Sequence, residues 1–262
     1  PAMVEVLNEV MGPDDRFAGV TLATGSAGTL GSGDYLKQIY PNSKIAAGEA
    51  TECPTMLLNG FGEHRIEGIG DKHIPWIHNV RNTDMAIGID DESSIDLIRL
   101  FNEPAGRAYL ADQGVSSDII EKLPLLGISC VANMLMAIKF AKFYELTSQD
   151  VVMTVATDSM EMYESRLAEL NEERGEFTSL DAAAAYHRYL MGQSLSNVQE
   201  LGYYERKRIH NLKYYTWVEQ QGKTYEEIQA QWYDPDYWTS IQALADPIDE
   251  MIEAFNEQVD LA

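Results

Sequence analysis

Residues 16–40 constrain the fold more than any other stretch. A short apolar segment, RFAGVTLAT, runs into a loop of small and hydroxyl-bearing residues, GSAGT, and then into LGSGDYLKQIY, which stops before Pro41. An apolar strand followed at once by a small-residue turn and a helix is the unit from which parallel sheets are built. The helix carries the chain back so that the next strand runs in the same direction.

The rest of the first two thirds repeats that alternation. Residues 3–11 form an amphipathic helix with Val4, Leu7 and Val10 on one face. SKIAAGEA and MAIGID are further short strands, and DESSIDLIRLFNEPAG and SCVANMLMAIKFAKFYEL are helical, the second capped by Ser129. DVVMTVAT is apolar throughout and predicts a strand buried on both faces. The predicted fold class is therefore α/β, a parallel doubly wound sheet over residues 1–168 with an α-helical C-terminal extension over 169–262. The extension is polar and aromatic-rich and shows no convincing strand. Its aromatic residues at helical spacing predict a cover for the sheet domain or for a dimer partner.

Composition removes several function classes. The chain has 42 acidic against 19 basic side chains and a formal charge of −23, which repels nucleic-acid phosphates. Six of the acids fall in the last 17 residues, as a solvated helix face. No run of about 18 apolar residues suggests a membrane span, and PAMVEVLNEVMGPDD lacks the basic start and apolar core of a secretory signal. The five histidines are scattered and the two cysteines, Cys53 and Cys130, stand alone. Neither a metal site nor a disulfide framework is expected, as befits a cytoplasmic chain. Cys130 is expected to be a small buried core residue.

The loop itself has a physical purpose in such a fold. Backbone N–H groups at the start of a helix point outward, beside the positive end of its dipole, and bind anions. Glycines allow a close approach, and Thr24, Ser26 and Thr29 add hydroxyls, Thr29 also occupying the expected N-cap. No Gly-Lys-Ser/Thr follows, so the loop is not a nucleotide-triphosphate loop, and it carries no Gly-x-Gly-x-x-Gly pattern.

Four motifs in order, GSAGTLGSGDYLKQIYPNSKI, HRIEGIGDKHIPWI, LLGISCVANMLMAIKFAK and DVVMTVATDSMEMYESRL, resemble the cysteine synthase and cystathionine beta-synthase family of fold type II pyridoxal-phosphate enzymes. The resemblance covers roughly residues 1–167. It implies that Gly25, Ser26, Ala27, Gly28 and Thr29 hold the phosphate of pyridoxal 5'-phosphate, that Ser159 stands beside the pyridine nitrogen, and that Gly68, with Ile69 and Gly70, passes close to the ring. Ala27 replaces a glycine of the family loop, which is tolerable if its φ is negative. A neutral hydroxyl beside the nitrogen favours an uncharged ring, and with it loss of a β-substituent over a long-lived carbanion. Asp71, Lys72 and His73 stand where the family has small and apolar residues, either as substrate contacts or as a surface loop.

The family's Schiff-base lysine lies upstream of the phosphate loop, and residues 1–24 contain no lysine. The resemblance thus implies the C-terminal portion of such an enzyme, associated with a complementary N-terminal half, acting on a small amino-acid substrate and forming a homo-oligomer. The implied reaction is β-elimination or β-replacement, cysteine synthase-like or carbon–sulfur lyase. A serine/threonine dehydratase-like ammonia-lyase and a non-catalytic partner subunit are the alternatives.

Overall fold

A computed structural model describes residues 2–70 and 72–259. Five strands, β1 (Arg16–Ala23), β2 (Lys44–Ala50), β3 (Met85–Ile89), β4 (Asp150–Met153) and β5 (Val198–Glu200), form one sheet in the order β4-β1-β2-β3-β5. The first four are parallel, as the alternating elements predict. β5 runs antiparallel to β3, pairing Val198 with Ile87 and Glu200 with Met85. The sheet is thus mixed, and the extension does contain a strand, short and polar as edge strands often are.

Alternate residues of the central strands enter two separate cores, which explains their unbroken apolar composition. Val20, Leu22, Ile45 and Ala47 meet Leu30 and Leu36 of the Gly28–Ile39 helix. Ala46, Ala50, Met85 and Ile87 meet Val131, Leu135 and Met136 of the Ile128–Phe143 helix on the opposite face. The crossing there is close. A Cβ on Gly48 would lie 1.8 Å from the Met136 Sδ, so a side chain at this position would push the helix off the sheet.

Several boundaries differ from the expectation. DVVMTVAT is a strand only as far as Met153, and its four residues are half-buried because β4 is an edge. DESSIDLIRLFNEPAG breaks at Glu103 into the Asp91–Asn102 and Pro104–Asp112 helices, since Pro104 cannot continue the first but starts the second. Gly127, not Ser129, caps the Ile128–Phe143 helix. In the Ala2–Val10 helix only Leu7 is buried, and Val10 is 59 % exposed.

Polar hooks hold the extension to the sheet. Asp84, at the foot of β3, accepts hydrogen bonds from Arg206 Nη2 at 3.1 Å and from the amide of Ile45, and pairs with Lys37 at 2.6 Å. Lys213 is fully buried, and its Nζ donates to the carbonyls of Trp76 and His78 and to Gln231 Oε1, at 2.9, 2.8 and 2.6 Å. Burial pulls its pKa well down, whereas three acceptors around one nitrogen favour the ammonium, the only form with three N–H donors.

Three buried groups give the fold a calculable pH dependence. Burial lifts the Glu49 carboxyl from its ordinary 4.5 to about 7, although it accepts from the amides of Met56 and Leu57. Burial, reinforced by Lys213, lowers His78 and His210 from 6.5 to about 3. The histidines contribute stability that is lost as pH falls below their unfolded value. Glu49 returns some as pH falls from its folded value toward its unfolded one. From about pH 6 to pH 5 the unfolded chain holds two protons on this trio and the folded chain one. Stability should therefore fall by about 1.4 kcal/mol per pH unit from these groups. In urea titrations His210→Gln should cancel that slope and Glu49→Gln should double it; identical slopes in all three proteins would refute the assignment.

Candidate functional site

β1 sends its chain to β2 on one side, while β4 returns to the other side of β1. The ends of β1 and β4 therefore diverge, and ligands of open α/β sheets bind in the crevice that such a reversal leaves beyond the strand ends. The segments that follow these two strands are the small-residue loop and residues 154–158.

They face each other across a cavity of about 270 Å³, lined on one side by Gly25, Ser26, Ala27, Gly28 and Thr29 and on the other by Val155, Thr157 and Asp158. Gly68 and Ser129 close it. Asn133, on the Ile128–Phe143 helix, ties the two sides together: its Oδ1 accepts from the Ala23 amide and its Nδ2 donates to the Val155 carbonyl, both at 2.8 Å. Thr154 Oγ1 donates to the Thr21 carbonyl at 2.6 Å. The Gly68–Gly70 turn is held to the start of the loop, with the Gly70 amide donating to the Thr24 carbonyl at 2.9 Å. Gly68 has φ of +83°, a conformation that favours glycine, and a Cβ on Gly25 would come within 3.3 Å of the Gly68 carbonyl oxygen, so the two turns approach each other closely.

Two expectations for the loop are corrected. The helix begins at Gly28, so Ala27 rather than Thr29 is the N-cap residue. Ala27 does not have a negative φ; it sits in the left-handed region at φ +66°, ψ 12°. That conformation costs a non-glycine residue about 1–2 kcal/mol. The Ala27 methyl, 2 % exposed, is buried against the Leu30 and Leu36 core, which offsets part of that strain. A residue held left-handed just before a helix turns successive amides toward a common point, the nest geometry that suits an anion.

The opposite wall is less simple than expected. Ser159 is half-buried at the start of the Met160–Met162 turn, where its carbonyl accepts from the Met162 amide, and it is not on the cavity wall. Its neighbours Thr157 and Asp158 are. Asp158 accepts from the Tyr163 hydroxyl and from Thr157 Oγ1 at 3.2 Å, and its carbonyl receives the Gly127 amide at 3.0 Å. Burial, with the Asp158 carboxylate beside it, raises the Tyr163 phenol above its ordinary range, so Tyr163 stays a donor. Cys130, as expected, is a buried core residue; its Sγ accepts the Thr157 amide at 3.2 Å and so fixes this wall. Among the described residues no Lys or Arg lines the cavity. Amides and hydroxyls stand at one end and a carboxylate at the other, which suits a ligand with an anionic group at one end and a hydrogen-bond donor at the other.

The remaining residues of the resemblance divide. His73 meets the extension, its Nδ1 2.8 Å from Thr216 Oγ1. Lys72 lies on a neighbouring polar cavity, and Asp71 falls outside the described residues. The signal that could have found Asp158 is its own carboxylate next to the seryl position, in a segment leaving a strand at the reversal of strand order.

Strand order and cavity thus define an open α/β chain with a crevice, lined by the small-residue loop, at its switch point. The chain is similar to several known proteins. The chain is 30 % identical to the cysteine synthase of Staphylococcus aureus over 171 residues, covering 62 % of this chain and 49 % of that protein. It is 27 % identical to cysteine synthase B of Campylobacter jejuni over 161 residues, covering 61 % and 46 %. Among solved structures, the cysteine synthase of Entamoeba histolytica superposes with a TM-score of 0.51 at 22 % identity, over 70 % of this chain and 48 % of that one. A hydrogen sulfide-producing enzyme from Fusobacterium nucleatum superposes with a TM-score of 0.50 at 23 % identity, over 76 % and 52 %. No protein-family model matches. Over about 62 % of its length the chain is similar in sequence to cysteine synthases, as its motifs imply. It spans about half the length of those relatives.

Proposed function

We propose that this chain is the phosphate-binding part of a pyridoxal-phosphate enzyme that acts on an amino acid by β-elimination or β-replacement, as a cysteine synthase-like or carbon–sulfur lyase activity. The observation that carries the reading is the left-handed Ala27 in the middle of the Gly25–Thr29 loop, which lines the switch-point crevice. In this reading Gly25, Ser26, Ala27, Gly28 and Thr29 hold the phosphate, and Gly68 backs the ring. Bound there, the cofactor supplies the electron sink for breaking a bond at the substrate's β-carbon.

The group on the wall that can meet the ring nitrogen is Asp158, supported by Tyr163, whereas Ser159 lies beside the cavity. A carboxylate there would keep a proton on that nitrogen, a stronger electron sink than the uncharged ring a serine hydroxyl favours, and one that supports loss of a β-substituent without setting it above other fates of the carbanion. The Schiff-base lysine belongs, in this reading, to a complementary N-terminal half, and the complete units form a homodimer in the cytoplasm.

Native protein isolated with whatever chain accompanies it should absorb in the visible range of an internal Schiff base. The band should shift on adding cysteine, serine or O-acetylserine. A native assembly that contains a lysine-bearing second chain yet binds no cofactor would contradict the reading.

A further inference from the structure

The last helix of the extension, Ala245–Gln258, buries none of its side chains among the described residues. Yet Leu244, Ile248, Met251, Ile252, Phe255 and Val259 recur at helical spacing and are 44 % to 72 % exposed. At about 100° of rotation per residue they fall on one apolar stripe along the helix. A helix of 14 residues is marginal in water unless such a face is packed, and a contiguous exposed apolar stripe marks an interaction surface.

The placement of charge says what packs there. The helix carries Asp246, Asp249, Glu250, Glu253 and Glu257 and no base. The same rotation turns these acids away from the stripe, while Ala245, Asn256, Pro247 and Gln258 flank it. A basic partner reads a surface through acids bordering the contact, and the border here is uncharged. Two copies of the helix, by contrast, meet stripe to stripe with no acid facing another. Leu244, Ile248, Met251 and Phe255 alternate spacings of four and three, the pattern of helix packed on helix, and a two-fold axis supplies an identical stripe.

The helix also springs from the end of the sheet away from the crevice, which a complementary half must reach. The crevice lies at the N-terminal end of the Gly28–Ile39 helix. At that helix's other end Gln38 Nε2 donates to Gln242 Oε1, and Arg81 Nη1, just ahead of the foot of β3, donates to the Asp234 carbonyl at 3.3 Å. We infer that the Ala245–Gln258 helix pairs with its counterpart in a second copy of this chain and is the contact that joins the two copies.

Sedimentation equilibrium of the native assembly tests this. The double variant Met251→Glu, Phe255→Glu sets carboxylates in the stripe. It should raise the dissociation constant between copies at least about a hundredfold and halve the number of copies at a concentration where the parent is paired. Glu253→Gln, Glu257→Gln, on the far side of the helix, should leave that constant unchanged. Both variants should melt as the parent does, since the helix buries no side chain. A parent with a single copy, or a stripe variant that keeps its copy number, would overturn the inference. So would a stripe variant that sheds a chain of different sequence, one that unfolds, or a glutamine variant that dissociates. The inference goes beyond the function proposed above and gives its homodimer a contact. Cofactor absorbance, recorded separately, keeps the two apart: its absence from all three proteins would count against the function alone, and an unchanged copy number against the helix pair alone.

Discussion

Replacing Lys213 by methionine is expected to destabilise the chain by about 3–5 kcal/mol, the range for removing one partner of a buried charged group. Methionine fills most of the lysine's volume but leaves the Trp76 and His78 carbonyls and Gln231 Oε1 without their donor in a dry site. At this chain length the midpoint of thermal unfolding should drop by about 10 °C. The contrast is Lys122→Met. Lys122 pairs with Asp118 at 2.9 Å with both side chains well exposed, and such a pair contributes less than about 1 kcal/mol. A second readout separates lost charge from lost packing. Lys213 is, after burial, the next cause that lowers His78 and His210, so both should titrate higher in the variant by proton NMR. Equal stability of the two variants would show that the extension is not hooked on through this amine.

The same lysine shows where sequence stops being informative. An isolated Lys in NLKYYTW looks like any surface lysine; its burial follows from contacts with residues some 135 positions earlier, which no local pattern encodes. The clamp on His73 is equally non-local, so its neighbourhood could be read with equal reason as substrate contact or surface loop. β1, β2 and β3 were legible because a strand covered on both faces must be apolar at every position. The same rule overextended β4, since composition does not say whether an apolar strand lies at the centre or the edge. β5 escaped notice because VQE is polar and becomes a strand only by pairing with Met85–Ile87. At the site, the loop and Gly68 were visible through their small residues. The exchange of Ser159 for Asp158 on the wall was not, because adjacent residues leaving a strand differ in direction, and direction is set by the Gly127 and Cys130 contacts.

The loop gives the sharper test of function, through the one residue whose backbone departs from what its side chain prefers. Ala27→Gly should relieve about 1–2 kcal/mol of left-handed strain while losing about 1 kcal/mol of buried methyl. Stability should stay within about 1 kcal/mol of the parent, and the phosphate site should be retained. Ala27→Val should behave quite differently. A β-branched side chain at φ +66° is a steric outlier, and the segment can relieve it only by rotating out of the left-handed region. That rotation turns the amides away from the crevice, because the residue that aims them is the one that moves. Affinity for pyridoxal 5'-phosphate in the native assembly should fall about a hundredfold, equivalent to about 2.7 kcal/mol. Affinity for the non-phosphorylated aldehyde, which does not use the loop, should change little. The comparison of the two ligands isolates the phosphate contact from general damage to the fold. If valine weakened both equally, the loss would lie in the sheet and its cores. If it weakened neither, the anion would have to be held away from the Gly25–Thr29 turn.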